Sequence, residues 1–148
     1  FIGGLMGTRS IIGLKNLDGT YETVYCHWDG YPSHNGLILA KNYTTEALVR
    51  DLISFGDMSS LKASARPKGA SHTYDSPEPD VTIYYHRDLG ESWENTKPKI
   101  LATNEDPHQE EYCYIWDCFA GHWLFKGHRE KEFKRLTEES AAQWGDDE

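Results

Sequence analysis

An Asp-Gly pair, Asp18-Gly19, separates two runs of strand-forming residues, 9–17 and 20–28. Both central residues of a type I′ turn take positive φ, and Asp-Gly adopts that geometry cheaply, so the pair predicts a β-hairpin. A two-residue loop would set the register. Leu17 faces Thr20, Leu14 faces Thr23, Ile12 faces Tyr25, Ser10 faces His27 and Arg9 faces Trp28. One face then carries Ser10, Ile12, Leu14, Tyr25 and His27; the other carries Arg9, Ile11, Gly13, Val24, Cys26 and Trp28. Both faces are apolar in the middle, which predicts a hairpin covered on both sides, at or near the centre of an antiparallel sheet.

The second run ends in Tyr25-Cys26-His27-Trp28-Asp29-Gly30-Tyr31-Pro32, where rings, a thiol and a carboxylate crowd into one strand end before Gly and Pro break it. At the open end of the hairpin, Gly7-Thr8-Arg9-Ser10 meets Cys26-His27-Trp28-Asp29. Pro32 suits the first turn of a helix, where its missing N–H costs nothing, and residues 36–43 continue that helix. A second helix follows, with Thr44 or Thr45 as N-cap, Glu46 at its positive end, and Ala47, Leu48, Val49, Leu52, Ile53 and Phe55 on one broad face. Gly56 ends it in the left-handed conformation. Residues 62–80 have no apolar period and read as a long mobile loop. Strands are predicted at 81–86 and 99–103, a second hairpin joins 112–119 to 122–127 across Ala120-Gly121, and Phe133, Leu136 and Trp144 mark a C-terminal helix before an acidic tail at 145–148. The fold class is α+β: a single domain, mainly antiparallel, with two or three helices packed on the sheet, largely on one side.

Because aromatic residues make up 13% of a chain that is only 38% hydrophobic, the core should rest on Tyr and Trp more than on aliphatic stretches. The strand residues Tyr84, Tyr85, Tyr112, Tyr114, Trp116 and Trp123 fit such a core better than a base-stacking platform. A formal net charge of −9 argues against general nucleic-acid binding or an anionic membrane surface, both of which need a basic footprint. Residues 1–5 read as a small apolar leader ahead of a natural start at Met6, and neither a signal peptide nor a spanning helix is recognisable. Three cysteines, Cys26, Cys113 and Cys118, are expected as free thiols in a reducing cytoplasm.

Cys113, Cys118, His122 and His128 invite a zinc reading, but the spacer is short and strand parity sends the two thiols to opposite faces, so no metal or other cofactor is expected. His27, Asp29 and His34 have the chemistry of acid/base groups, and Arg9 could fork onto a phosphate. The competing structural reading has Asp29 capping the following turn, His27 bonding a local carbonyl and Arg9 stacked on Trp28. The second reading is favoured, since neither a phosphate loop nor a nucleophile-base signature accompanies these residues. Residues 75–111 hold ten carboxylates, read as a solvated surface before a nucleic-acid mimic.

Met6-Gly7-Thr8-Arg9-Ser10, the octamer Tyr25 to Pro32, and Gly56-Asp57-Met58-Ser59-Ser60-Leu61 together resemble a family of uncharacterised proteins from tailed phages and bacteria. The resemblance covers the first sixty residues or so and carries no activity with it. It implies a small virus-encoded accessory protein in the bacterial cytoplasm. The expected function is a non-enzymatic binding module for a host protein or small ligand, with Arg9, His27, Trp28, Asp29 and Tyr31 as contact residues. The alternative is a metal-independent enzyme acting on a phosphate-containing substrate through Arg9, His27, Asp29 and His34.

Overall fold

Asp18-Gly19 does turn the chain, but through a loop one residue longer than a type I′ turn. The computed structural model describes residues 7–69, 72–73 and 75–144; the leader expected at residues 1–5, Met6 and the acidic stretch 145–148 lie outside them. Strands β1 (Ser10–Lys15) and β2 (Tyr21–Cys26) are joined by a loop in which the Gly19 N–H donates to Asn16 O at 2.9 Å and the Asn16 N–H to Thr20 O at 2.8 Å. Gly19 alone in the loop is left-handed, at φ +88°. The Asp18 carboxylate accepts from the Thr20 N–H (3.0 Å) and hydroxyl (2.7 Å). This is a turn closed by a glycine bulge, and it corrects the register. Ser10 lies opposite Cys26, Ile12 opposite Val24 and Leu14 opposite Glu22. Val24 and Cys26 therefore share the face of Ile12 and Leu14, while Tyr25 lies opposite Ile11 on the other face. Burial explains the choice, because this register puts two compact apolar side chains into the main core and leaves the Tyr25 phenol outside it.

The sheet adds β3 (Met58–Ser60), β4 (Ile83–Tyr84), β5 (Lys99–Leu101), β6 (Tyr112–Asp117), β7 (His122–Lys126) and β8 (Lys134–Arg135). Its eight strands run β4-β3-β2-β1-β6-β7-β8, with β5 beside β3 on the same edge of β2. The first hairpin is thus central, as its apolar pattern requires. The sheet is mostly antiparallel, although β1–β6 and β2–β3 pair in parallel. The strand expected at 81–86 shrinks to two residues because the chain turns after Tyr84: the Asp88 N–H donates to Tyr84 O (3.0 Å), Gly90 to His86 O (3.1 Å) and Glu91 to Tyr85 O (2.9 Å).

Among the described residues there are four helices: α1 (Leu37–Asn42), reached through a π-helical turn at Pro32–Gly36, then α2 (Glu46–Ser54), α3 (Trp93–Thr96) and α4 (Glu138–Ala142). Thr45 caps α2, its hydroxyl accepting from the Leu48 N–H at 3.2 Å. Gly56 then turns left-handed at φ +84°, in a place where a Cβ would meet Thr96 O at 2.3 Å. The C-terminal helix begins later than the sequence suggests. Residues 134–135 form β8 against β7, the Leu136 N–H donates to Trp123 O, and only then does Thr137 cap α4.

Leu39, Val49, Leu52, Ile53 and Ala141 bring α1, α2 and α4 onto one face of the sheet, against Ile12, Leu14, Val24 and Tyr114. Ala47 and Leu48, expected on the same face of α2, are exposed because the buried face is narrower than the apolar pattern. The other face holds a smaller cluster of Ile11, Cys113 and Ile115, with Tyr21 and Phe133 against it. The main core holds more aliphatic than aromatic side chains, contrary to the expectation from composition, and Tyr85 stays outside it. The buried aromatics use their polar ends as ties. Tyr84 donates to Leu52 O (2.6 Å), Tyr114 to Gly30 O (2.6 Å) and the Trp123 indole to Tyr43 O (2.8 Å).

The stretch 62–80 forms no strand or helix among its described residues, yet it is anchored. The Arg87 guanidinium donates to Ala65 O (2.6 Å) and Thr82 O (2.9 Å) and lies over the rings of Phe55 and Tyr84. Asp88, almost fully buried, holds that guanidinium at 3.0 Å and faces His72 Nε2 at 3.3 Å, while His72 Nδ1 accepts from the Glu78 N–H. Removing one member of a buried ion pair strands the other charge, at a cost of roughly 3–5 kcal/mol. Asp88→Ala should therefore lower the melting temperature sharply and expose residues 62–80 to limited proteolysis; an unchanged cleavage pattern would show that this cluster does not hold the loop.

Candidate functional site

The octamer is built around one buried amide. Asn35, in the π-helical turn, is fully buried, and its Nδ2 lies 3.3 Å from Ser10 Oγ, 3.4 Å from Cys26 Sγ and 3.3 Å from Trp28 O. Its Oδ1 lies 2.9 Å from His34 Nδ1. The Asn35 N–H also donates to Asp29 O and Tyr31 O. Gly30 closes the corner, its N–H donating to Thr8 O at 2.7 Å. The chain can make this bend because Asp29 sits at φ +56°, a region Asp tolerates better than most side chains. Asp29 is therefore a bend residue: its carboxylate accepts from the Tyr31 hydroxyl at 3.4 Å, and the residue before the π-helical turn is Tyr31, which provides no side-chain cap.

The candidate contact residues divide into two groups. Tyr25 and His27 form one with Arg9, on the side away from the helices. The Tyr25 hydroxyl lies 2.7 Å from His27 Nδ1 and is also hydrogen-bonded by Arg9; burial pushes this phenol up, partly offset by the Arg9 charge. His27 meets the Trp28 indole edge-on, with centroids 4.5 Å apart. Arg9 therefore pairs with the phenol and not with Trp28, which lies over Gly7. Asp29, Tyr31 and His34 form the second group, with the rings of Tyr31 and His34 6.1 Å apart. Asn35 lies between the groups. Cys26 touches it but is no nucleophile, because burial pushes its thiol up to about 12.

Cys113 and Cys118 do project to opposite faces of the sheet, the first into the minor cluster and the second against the main core. His122 is turned so that Nδ1 lies 3.3 Å from Trp123 O. The carboxylates of residues 75–111 do not form one uniform acidic face. Asp88 is buried, and Glu78, Glu105, Asp106 and Glu111 accept from backbone N–H groups of Lys68, Ala102, His108 and Arg9.

One functional candidate escaped sequence reasoning. Asp57, inside the Gly56-Asp57-Met58 motif, fills the gap between β5 and β3 along β2, where its Oδ1 accepts from the Tyr25 N–H at 2.9 Å. Desolvation raises its carboxyl from 3.8 to about 6; the Tyr25 bond and Lys99 oppose the shift, and Glu91 adds to it. Tyr85 and Ser59, hydrogen-bonded to each other, stand on the same edge of the sheet. The only signal in the sequence was an acidic residue directly after a helix-ending glycine, which also fits an exposed turn.

No family model matches the chain, and neither a curated protein nor a solved structure matches it. Among the described residues no helix is long and apolar enough to cross a membrane.

A carboxyl held above its unfolded value binds extra protons in the folded state. The stability contributed by protonated Asp57 is fully present below about pH 4 and is lost as pH rises through about 6. Asp57→Asn keeps the acceptor for Tyr25 without the charge. Its melting temperature relative to wild type should therefore climb between pH 4 and 7 and level off above; a difference that is flat across that range would count against a buried, perturbed carboxylate.

Proposed function

We propose that the chain is a phage-type accessory protein that acts in the bacterial cytoplasm as a non-enzymatic binding module, engaging a host protein through the corner formed by Arg9, His27 and Trp28. The observation that supports this most is an exposed aromatic and cationic cluster standing on a rigid, fully hydrogen-bonded base. Trp28 is 37% exposed and Arg9 is open to solvent, while Asn35, Ser10 and Cys26 beneath them are completely buried. Arg and Trp are the residue types that dominate binding energy at protein interfaces, and a preformed surface loses little entropy on association. Tyr31 and Asp29 flank the corner and shape its rim.

The catalytic alternative draws less support. It needs Arg9, His27, Asp29 and His34 around one substrate, whereas His27 is paired with Tyr25 and His34 with Asn35. Asp57 is the observation in its favour, as a carboxyl of about 6 is suited to proton transfer near neutral pH.

The test is crosslinking in bacteria expressing the tagged chain. Arg9→Ala and His27→Ala should leave the melting temperature within a degree or two of wild type. Each should cut recovery of one specific host protein by roughly tenfold or more, the loss expected for an interface hot spot. Trp28→Ala should lower both recovery and stability, since its ring also packs on Gly7. If wild type and both contact variants recover the same proteins equally, or if both variants unfold, the corner is a fold signature and not an interface.

A further inference from the structure

The sheet face turned away from the helices carries an apolar slot that the preceding reading does not use. Ile115, Leu124 and Phe133 line it together with Lys15 and Tyr21, and its volume is about 220 Å³. Strand register places these groups together. Lys15 lies opposite Tyr21, and Ile115 lies opposite Leu124 on the neighbouring hairpin. Phe133 is held over the slot from the segment before β8, with the Lys126 ammonium 5.6 Å from its ring centroid. The slot is separate from the Arg9 corner, since Tyr21 and Tyr25 are four residues apart on β2, or about 13 Å.

The charged residue of its lining is a cation, Lys15. Among the described residues no carboxylate pairs with Lys15. Asp117 is its register partner on β6, but the Asp117 Oδ1 is turned to the N–H groups of Phe119 (2.9 Å) and Ala120 (3.1 Å). Among the described residues, an ammonium without an ion-pair partner and a phenol therefore line an otherwise apolar trench. Its volume is below the usual range for drug-sized ligands and suits a molecule of about ten non-hydrogen atoms.

We propose that this slot binds a small amphipathic anion, with a saturated tail of about eight carbons between Ile115, Leu124 and Phe133 and a carboxylate against the Lys15 ammonium and Tyr21 hydroxyl. Tail burial supplies affinity and grows with chain length, by about fourfold for each methylene that fits. The ammonium selects the sign of the head group.

Calorimetric titration of the intact chain with hexanoate, octanoate, octanol and octylamine tests this directly. Octanoate should bind once per chain, hexanoate roughly tenfold or more weaker, and octylamine not measurably. Lys15→Met should weaken octanoate at least tenfold while leaving octanol unchanged. Leu124→Trp should fill the slot and abolish binding of both. Should Leu124→Trp fail to fold, methyl shifts of Ile115 and Leu124 in the wild-type protein on adding octanoate locate the site instead. The proposal is overturned by any of four results: no saturable octanoate binding, octylamine binding as tightly as octanoate, binding that survives in folded Leu124→Trp, or Lys15→Met leaving octanoate affinity intact.

Discussion

Asn35 joins parts of the chain that local sequence preferences would leave independent. One buried amide reaches the start of β1 through Ser10, the end of β2 through Cys26 and the following bend through the Trp28 carbonyl. A buried acceptor left without a donor costs roughly 1–3 kcal/mol, so losing this amide would leave several groups unsatisfied together. The left-handed bend at Asp29 and the exposure of Trp28 both rest on the amide. The corner proposed as an interface is therefore stiff because of a residue that no ligand would touch.

The same demand for backbone partners explains much of the acidic composition. The outer edge of β2 is covered by two short strands that do not meet, β5 and β3, and the Asp57 carboxylate supplies the acceptor between them. Glu78, Glu105, Asp106 and Glu111 do similar work in loops. A chain with many irregular connections has many N–H groups outside ladders, and short carboxylate side chains can satisfy them where they fall. The negative charge is thus partly internal structure. At Asp57 that arrangement carries a desolvation cost near neutral pH.

Cations are arranged in the same spirit around the aromatic side chains of the core. Arg66 and Arg87 lie over Phe55, and Lys134 lies over Phe125 and Trp144. These side chains let a ring-rich core extend to the surface without leaving its edges bare. Arg87 goes further and carries the connection between the loop at 62–80 and the turn after β4, through its bonds to Ala65 O and Asp88.

What the sequence determined by itself was local. A threonine cap at 44 or 45, the inward positions Val49, Leu52 and Ile53 of α2 and the left-handed stop at Gly56 were legible, because each depends on residues within one or two turns of one another. So were the place of the first hairpin and the α+β class, since period-2 and period-3.6 patterns need no knowledge of the partner. Tertiary structure decided the rest. Asp-Gly fits either a two-residue turn or a glycine bulge, and only the burial of Val24 and Cys26 chose between them, shifting every pair by one and moving Tyr25 and Val24 to the faces opposite those expected. Residues 134–135 became a strand because β7 had a free edge, overriding a stretch that local pattern assigned to a helix. Asn35, Asp57 and the His72–Asp88–Arg87 cluster were invisible beforehand for the same reason. A buried polar group is recognised by the partners that surround it, and those partners come from distant parts of the chain.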